Sequence, residues 1–162
     1  MLRKTSNSLI IIGFVLYIII NYINAYIMNV NSNIINSIQY KDNIVNYYVG
    51  YIEIEDKIKV PLVYGTSDKE LNQNVVGISN YSNNNHLILA GHAIKSVFLP
   101  LYKISIDTKI IILINGKYHT YYVDTKNIVF EDDLSVYNNS GLTLITCINK
   151  NQRLIIHAKT AN

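Results

Sequence analysis

Residues 109–129 read Lys109-Ile-Ile-Ile-Leu-Ile-Asn115-Gly116-Lys-Tyr-His-Thr-Tyr-Tyr-Val-Asp-Thr-Lys-Asn-Ile-Val129, and they carry the strongest local structural signal in the chain. Two runs rich in isoleucine, valine and tyrosine, which favour strands, flank the dipeptide Asn115-Gly116. Asn-Gly is a preferred pair for a type I′ turn, because both central residues of that turn need a positive φ. The stretch therefore predicts an antiparallel hairpin.

Six similar runs lie before and after this hairpin. Together with it they predict eight strands at Tyr47–Glu55, Lys57–Tyr64, Val75–Ile78, His86–Ala90, Lys109–Ile114, Lys117–Val129, Gly141–Cys147 and Arg153–Ala158. Helix is sparse: the capping-box sequence Ser67-Asp-Lys-Glu70 predicts one short helix, and residues 93–104 have room for a turn or two around Pro100. So many short strands predict an all-β fold, either a sandwich or, since closure removes exposed edges, a small closed barrel.

The composition is that of one folded domain with an appendage, because 49% of the 162 residues are hydrophobic and 15% are charged. The formal net charge is +3, but Arg3 and Lys4 supply two of the positive charges, which leaves 12 basic against 11 acidic side chains from residue 5 onward. Without a basic stripe, nucleic acid is not expected as a partner. The single cysteine, Cys147, excludes an internal disulfide framework and a multi-cysteine metal site.

The N-terminal segment is long and apolar. Residues 9–20 are uninterrupted apolar, and the stretch continues to about Met28 with only Asn21 and Asn24 clearly polar. Such a length covers about 30 Å, one hydrocarbon thickness. Arg3 and Lys4 precede it, so the positive-inside rule predicts a cytoplasmic N-terminus and an exported domain. The expected organisation is a cytoplasmic tail at 1–8, a transmembrane anchor at 9–28, an extracellular spacer at 29–46 and the domain at 47–162, with a cleaved signal peptide as the alternative.

Cys147 is a candidate nucleophile. It ends the apolar run Leu142–Thr146 and lies six residues before Arg153, the only arginine outside the N-terminal tail. A thiol needs a base or a positive charge nearby to react at neutral pH. Arginine keeps its charge and presents several donors in a rigid fork, which suits a carbonyl oxygen that becomes an oxyanion. The five intervening residues have room for a tight hairpin; an inert buried thiol and a surface arginine are the alternative interpretation.

His92 is the best candidate for the base among four histidines. It follows the buried-strand run Leu87–Gly91, whose final glycine is expected to let the backbone turn and expose the next side chain. His86 lies at the opposite end of the same strand. His119 and His157 alternate with apolar neighbours inside predicted strands, as packed or surface residues do.

Three blocks of sequence in this order resemble the sortase family of membrane-bound cysteine transpeptidases. The family pattern Thr-Leu-x-Thr-Cys is matched by Thr143-Leu-Ile-Thr-Cys147, its Ala-Gly-His block by Ala90-Gly-His92, and its arginine followed by a β-run by Arg153-Leu-Ile-Ile-His-Ala158. Upstream, Tyr51–Ile54 and Val60–Gly65 are similar to the first two strands of the family. The resemblance covers roughly residues 50–159.

The resemblance implies a closed eight-stranded β-barrel in which Cys147, His92 and Arg153 meet in a groove. Cys147 is then the nucleophile, His92 the general acid and base, and Arg153 the group that stabilises the oxyanion or positions the substrate. The implied reaction cleaves a C-terminal sorting signal of the Leu-Pro-x-Thr-Gly type on a secreted protein and transfers that protein to an amine of a peptidoglycan precursor. The resemblance further implies a set of substrate-binding residues, namely Thr146, Ile145 and Ala90.

Departures from the family pattern leave other features open. The loop between Val129 and Gly141 is short and no Asp-Pro-aromatic lid precedes the domain, so a pilin polymerase is disfavoured and the sortase class is not assigned. No cofactor or metal is expected; Glu131-Asp132-Asp133 is a candidate calcium loop, and a solvated turn is the simpler interpretation. The alternative function is a non-catalytic exported relative that binds sorting signals or partner proteins. An L,D-transpeptidase is disfavoured because its Ser-His-Gly-Cys-x-Arg signature is absent.

Overall fold

The structure is a computed structural model that describes residues 2–40, 47–55, 57–137 and 139–160. Its helices are α1 (Leu2–Tyr40), α2 (Asp68–Leu71) and two 3₁₀ helices at Leu99–Lys103 and Leu134–Tyr137. Its strands are β1 (Gly50–Ile54), β2 (Ile58–Tyr64), β3 (Val76–Ile78), β4 (His86–Gly91), β5 (Lys109–Ile114), β6 (Lys117–Phe130), β7 (Gly141–Cys147) and β8 (Gln152–Thr160). Each strand lies within three residues of its predicted bounds.

The strands close into one barrel in the order β1-β2-β3-β4-β7-β8-β6-β5. The pairs β2–β3 and β4–β7 are parallel, and the remaining neighbours are antiparallel. Closure comes from β1, which pairs with β2 on one side and with β5 on the other. The prediction of a closed eight-stranded barrel is therefore confirmed, and the sandwich is excluded.

The β5–β6 hairpin has the predicted turn. Ile114 and Lys117 are the last paired residues, and the two residues between them have positive φ values, 49° at Asn115 and 76° at Gly116. Both values fit a type I′ turn, in which glycine and asparagine adopt this conformation at low cost.

The barrel interior is filled by alternate residues of its strands. Ile110 and Ile112 of β5, Ile52 of β1 and Leu142 and Leu144 of β7 are fully buried and belong to one continuous core cluster. Burial of each such side chain stabilises the fold by about 1.5–3 kcal/mol. The core thus fixes the strands, and with them the positions of the residues at the strand ends.

Helix α1 continues through most of the predicted spacer. The sequence predicts an Asn/Ser-rich spacer after Met28 with room for a helical turn, but the helix extends to Tyr40. Ile35 is fully buried in a cluster with Tyr51 of β1 and Leu113 of β5. We attribute the difference to this packing, because tertiary contacts on one face stabilise helices of modest intrinsic propensity.

Part of α1 is a candidate membrane span. The stretch Ile12–Ile35 is long and apolar enough to cross a membrane by length and composition, and residues 12–20 are exposed. Met1 of the predicted tail, residues 41–46 of the predicted spacer and residues 161–162 of the predicted domain lie outside the described residues. The same holds for the side chains of Arg3 and Lys4, on which the predicted orientation depends.

Candidate active site

The end of β7 lies between the end of β4 and the start of β8. On one side β4 and β7 pair in parallel up to Ala90 and Ile145, two residues before His92 and Cys147. On the other side Cys147 is the direct Cα partner of Arg153 in the antiparallel β7–β8 pair. Neighbouring strands are about 4.8 Å apart. The structure therefore brings the backbones of all three sequence-predicted residues to the same end of the barrel.

A hydrogen bond extends the β4–β7 register towards the site. The Thr146 hydroxyl donates to the Gly91 carbonyl over 2.8 Å, and both residues are buried. This contact joins the residue before Cys147 to the residue before His92. Thr146 therefore points into the barrel, and the expectation that it contacts substrate is not supported, since its side chain has an internal structural partner.

Gly91 is required for packing rather than for a positive φ. Its φ is not positive, whereas a Cβ at this position would be 2.9 Å from side-chain atoms of Val97 and Phe98. The chain bends just after Gly91, at Ala93 and Ile94, and the His92 side chain is half-buried. A side chain is excluded at Gly91 because the connection after β4 folds back closely over the strand.

Ala90 and Ile145 lie side by side on the outer face of the barrel, and both are half-buried. Their neighbours Leu89 and Leu144 point into the core. Because strand side chains alternate between faces, Cys147 emerges on the same outer face as Ile145. Ala90 and Ile145 thus form an apolar surface beside the thiol, where a substrate backbone can lie.

The thiol of Cys147 is exposed and unpaired by disulfide, and His92 is half-buried. Among the described residues, neither the His92 ring nor the Cys147 sulfur has a recorded hydrogen-bond partner. Both groups are therefore available to a substrate in this conformation.

Arg153 is held by the chain around it. Its Nη2 donates to a Glu131 carboxylate oxygen at 2.8 Å, and its Nη1 donates to the carbonyls of Asn149 (3.1 Å), Lys150 (3.3 Å) and Gln152 (3.1 Å). The side chain of Arg153 is 25% exposed and that of Glu131 is 51% exposed. The guanidinium is thus fixed on the β7–β8 hairpin, and one of its N–H groups is bonded to a carboxylate.

The acidic loop makes contacts of its own. Glu131 binds Arg153, and Asp133 accepts a hydrogen bond from the Ser135 amide at 2.9 Å. Hydrogen bonding to the Ser135 side chain, and then to its amide, lowers the pKa of the Asp133 carboxyl. Within the described part of the chain, no three His, Cys, Asp or Glu side chains are grouped so that they could hold a metal ion.

Two polar residues that the sequence analysis did not single out are connected to Cys147, one directly and the other through the first. The Tyr102 hydroxyl, on the 3₁₀ helix Leu99–Lys103, donates to the Cys147 carbonyl over 2.6 Å. The Lys126 ammonium of β6 donates to the Tyr102 carbonyl at 2.7 Å and more weakly to the Ile104 carbonyl at 3.4 Å. Neither residue has a sequence signal, because each contact joins positions more than 20 residues apart.

The other histidines lie away from this end. His86 and His157 both bond the Thr143 hydroxyl, at 2.6 and 2.9 Å, and the Asn139 amide donates to His157 at 3.0 Å. Burial lowers the pKa of His86; burial, and then the neighbouring His86, lowers the pKa of His157, with Asp124 acting in the opposite sense. His119 is exposed, as expected of a surface strand residue. None of the three joins Cys147.

The family model for the sortase domain matches residues 51–161, which is 111 of the 162 residues. The chain therefore belongs to the sortase family, a family of cysteine transpeptidases. A comparison with curated proteins finds no match.

Solved structures of sortases share the fold. Sortase A of Listeria monocytogenes is similar with a TM-score of 0.65 and 21% identity, over 72% of this chain and 89% of that one. Sortase C1 of Streptococcus agalactiae is similar with a TM-score of 0.61 and 29% identity, over 76% of this chain and 72% of that one. The sortase D5 transpeptidase of Clostridium perfringens gives 0.63 and 22% identity, over 71% and 79%.

Proposed function

We propose that this chain is a membrane-anchored cysteine transpeptidase that cleaves a C-terminal sorting signal of the Leu-Pro-x-Thr-Gly type. It transfers the protein to an amine of a peptidoglycan precursor. The observation that carries the proposal is the register at the end of β7, where Cys147 is paired with Arg153 on one side and lies beside the continuation of β4 towards His92 on the other.

In the first step the Cys147 sulfur attacks the carbonyl carbon of the Thr–Gly bond. A C–S bond forms and the C–N bond breaks, and His92 gives a proton to the departing amine. In the second step an incoming amine attacks the thioester, His92 takes a proton from it, and the Cys147 sulfur leaves. Atoms and charges balance, and no cofactor is needed.

Arg153 is proposed to stabilise the oxyanion in both steps. Its charge is permanent, and one such donor is worth about 3–4 kcal/mol of transition-state stabilisation in other acyl-transfer enzymes. In the structure one guanidinium nitrogen is bonded to Glu131. Glu131 therefore competes with the substrate oxygen for the Arg153 guanidinium.

The apolar surface of Ala90 and Ile145 is proposed to bind the part of the signal that precedes the cleaved bond. Both residues lie on the outer face next to Cys147, and an aliphatic side chain or a proline ring buries apolar area there. We do not assign a substrate contact to Thr146, because its side chain is inside the barrel.

The N-terminal helix is proposed to anchor the domain outside the membrane. Residues 9–28 would cross the bilayer with Arg3 and Lys4 on the cytoplasmic side. The part of α1 near Ile35 packs on the barrel, so the anchor and the domain are joined by a helical stalk. The domain would then meet secreted proteins as they emerge from the membrane.

Turnover of a fluorogenic Leu-Pro-x-Thr-Gly peptide panel with an amine acceptor tests the proposal. The full chain in detergent micelles is compared with Cys147→Ala and with Cys147→Ser, which keeps a hydroxyl of similar size. We expect turnover only with the native cysteine. If the native chain is no faster than Cys147→Ala on every peptide yet binds them, the alternative of a non-catalytic signal-binding domain is correct.

A further inference from the structure

The carbonyl of Cys147 is held by a side chain from a different part of the fold. The Tyr102 hydroxyl donates to it over 2.6 Å, across 45 residues of sequence. Tyr102 lies on the 3₁₀ helix Leu99–Lys103, which follows β4 and His92 in the chain. The segment that leaves the histidine thus returns to hold the cysteine.

This hydrogen bond occurs where the sheet stops. The last β4 residue is Gly91, one residue short of the position beside Cys147, and Cys147 is itself the last residue of β7. At the end of a ladder a backbone carbonyl loses a strand partner and needs another hydrogen-bond donor, from the protein or from water. Tyr102 supplies that donor from a folded element, at an exposed position of the surface.

Lys126 in turn fixes the segment that carries Tyr102. Its ammonium bonds the carbonyls of Tyr102 and Ile104, and these contacts are partly buried. Hydrogen bonds from a charged donor are roughly twice as strong as those between neutral groups. A continuous series of contacts therefore leads from Lys126 on β6 through Tyr102 to the backbone of Cys147.

We propose that Tyr102 is a positioning residue for the nucleophile, and that Lys126 acts through Tyr102. The inference rests on the proposed function. The hydroxyl fixes the peptide plane that follows Cys147 and hence the direction of its Cα–Cβ bond. The positive end of the O–H dipole also offsets the partial negative charge of the Cys147 carbonyl oxygen. Because that oxygen is near the sulfur, its weaker repulsion favours the reactive thiolate.

Tyr102→Phe removes only this hydroxyl. Tyr122→Phe is the matched control, because Tyr122 is an exposed tyrosine on β6 whose hydroxyl has no recorded hydrogen bond among the described residues. The full chain in micelles is assayed for kcat and KM on the peptide panel. The rate at which iodoacetamide alkylates Cys147 is measured separately, without peptide, and thermal unfolding is followed for each variant.

For Tyr102→Phe we expect kcat to fall about 3- to 10-fold, as for the loss of one such bond, with KM within about twofold. Alkylation of Cys147 is expected to slow about threefold or more. Tyr122→Phe should match the native chain in kcat, in KM and in the rate of alkylation. Native kcat and alkylation in Tyr102→Phe overturn the proposal, and so does a raised KM with unchanged kcat and alkylation, because Tyr102 would then contact the substrate.

Lys126→Met tests whether Lys126 acts through Tyr102, with Lys126→Arg as the variant that keeps a charged donor. We expect Lys126→Met to lower kcat in the native background but by less than about twofold in the Tyr102→Phe background, since coupled residues are not additive. Equal factors in both backgrounds overturn the role of Lys126. If no peptide turns over, the proposed function fails, while the alkylation rates still decide whether Tyr102 acts on Cys147.

Discussion

Replacing Thr146 with valine removes a hydroxyl from the junction between β4 and β7 and leaves the shape of the side chain almost unchanged. The lost contact is the 2.8 Å hydrogen bond to the Gly91 carbonyl. Thr146 is 2% exposed and Gly91 is buried, so water does not readily replace the hydroxyl. Loss of one buried hydrogen bond destabilises a protein by about 1 kcal/mol, and by up to about 3 kcal/mol where the acceptor has no second donor.

The same bond sets the spacing of the two residues that follow it, His92 and Cys147. If these backbones separate by even a fraction of an ångström, proton transfer between the histidine and the substrate amine is impaired. Displacements near 1 Å can reduce rates about 100-fold. We therefore expect Thr146→Val to lose about 1–3 kcal/mol in unfolding free energy and about 10- to 100-fold in kcat/KM.

Urea unfolding and peptide turnover measure the two effects, and Thr146→Ser is the matched control. Serine keeps the hydroxyl and lacks the methyl group, so it should lose some stability but retain most of the activity. Valine that is as stable and as active as threonine, or equal losses of activity in serine and valine, would refute this role of the hydrogen bond.

Three further predictions follow from other contacts of the site and the barrel. Glu131→Gln releases the Arg153 guanidinium from a carboxylate. In the peptide assay kcat/KM should rise by up to about fivefold, with a change in unfolding free energy below about 1 kcal/mol. A fall in kcat/KM of about fivefold would instead mean that Glu131 positions the arginine. Burial lowers the pKa values of His86 and His157 in the folded state, so the unfolded state binds more protons below about pH 6.5. Urea titrations should therefore show the unfolding free energy falling from about pH 6.5 to about pH 5, and falling less steeply in His157→Gln. The same dependence on pH in the native chain and in His157→Gln would contradict this. Gly91→Ala should lose about 1–3 kcal/mol of unfolding free energy in a urea titration at pH 7, since its Cβ would be 2.9 Å from side-chain atoms of Val97 and Phe98. An unchanged unfolding free energy would contradict this and show that the segment of Val97 and Phe98 moves to make room.

The strands and the turn between β5 and β6 were predictable because their determinants are local. Two runs rich in isoleucine, valine and tyrosine and the Asn115-Gly116 pair between them specify a hairpin without reference to the rest of the chain. The continuation of α1 beyond Met28 was not predictable in the same way. Its asparagines and serines favour a loop, and the helix there packs Ile35 against residues of β1 and β5 that are distant in sequence.

The candidate site divides in the same manner. Cys147, Arg153 and His92 could be selected from their chemistry and their places at strand ends, and the observed register brings their backbones together. Tyr102 and Lys126 could not, because a tyrosine or lysine in a connecting segment has many solvent-exposed alternatives. Only the folded chain shows that their contacts converge on the carbonyl of the cysteine.

The central claim is that Cys147 forms a thioester with a sorting signal. Intact-mass spectrometry of the full chain in micelles, incubated with a Leu-Pro-x-Thr-Gly peptide and no amine acceptor, tests it directly. We expect an adduct with the mass of the peptide's acyl part through threonine, absent in Cys147→Ala and released by hydroxylamine. No adduct with any peptide of the panel, or the same adduct in Cys147→Ala, would contradict it.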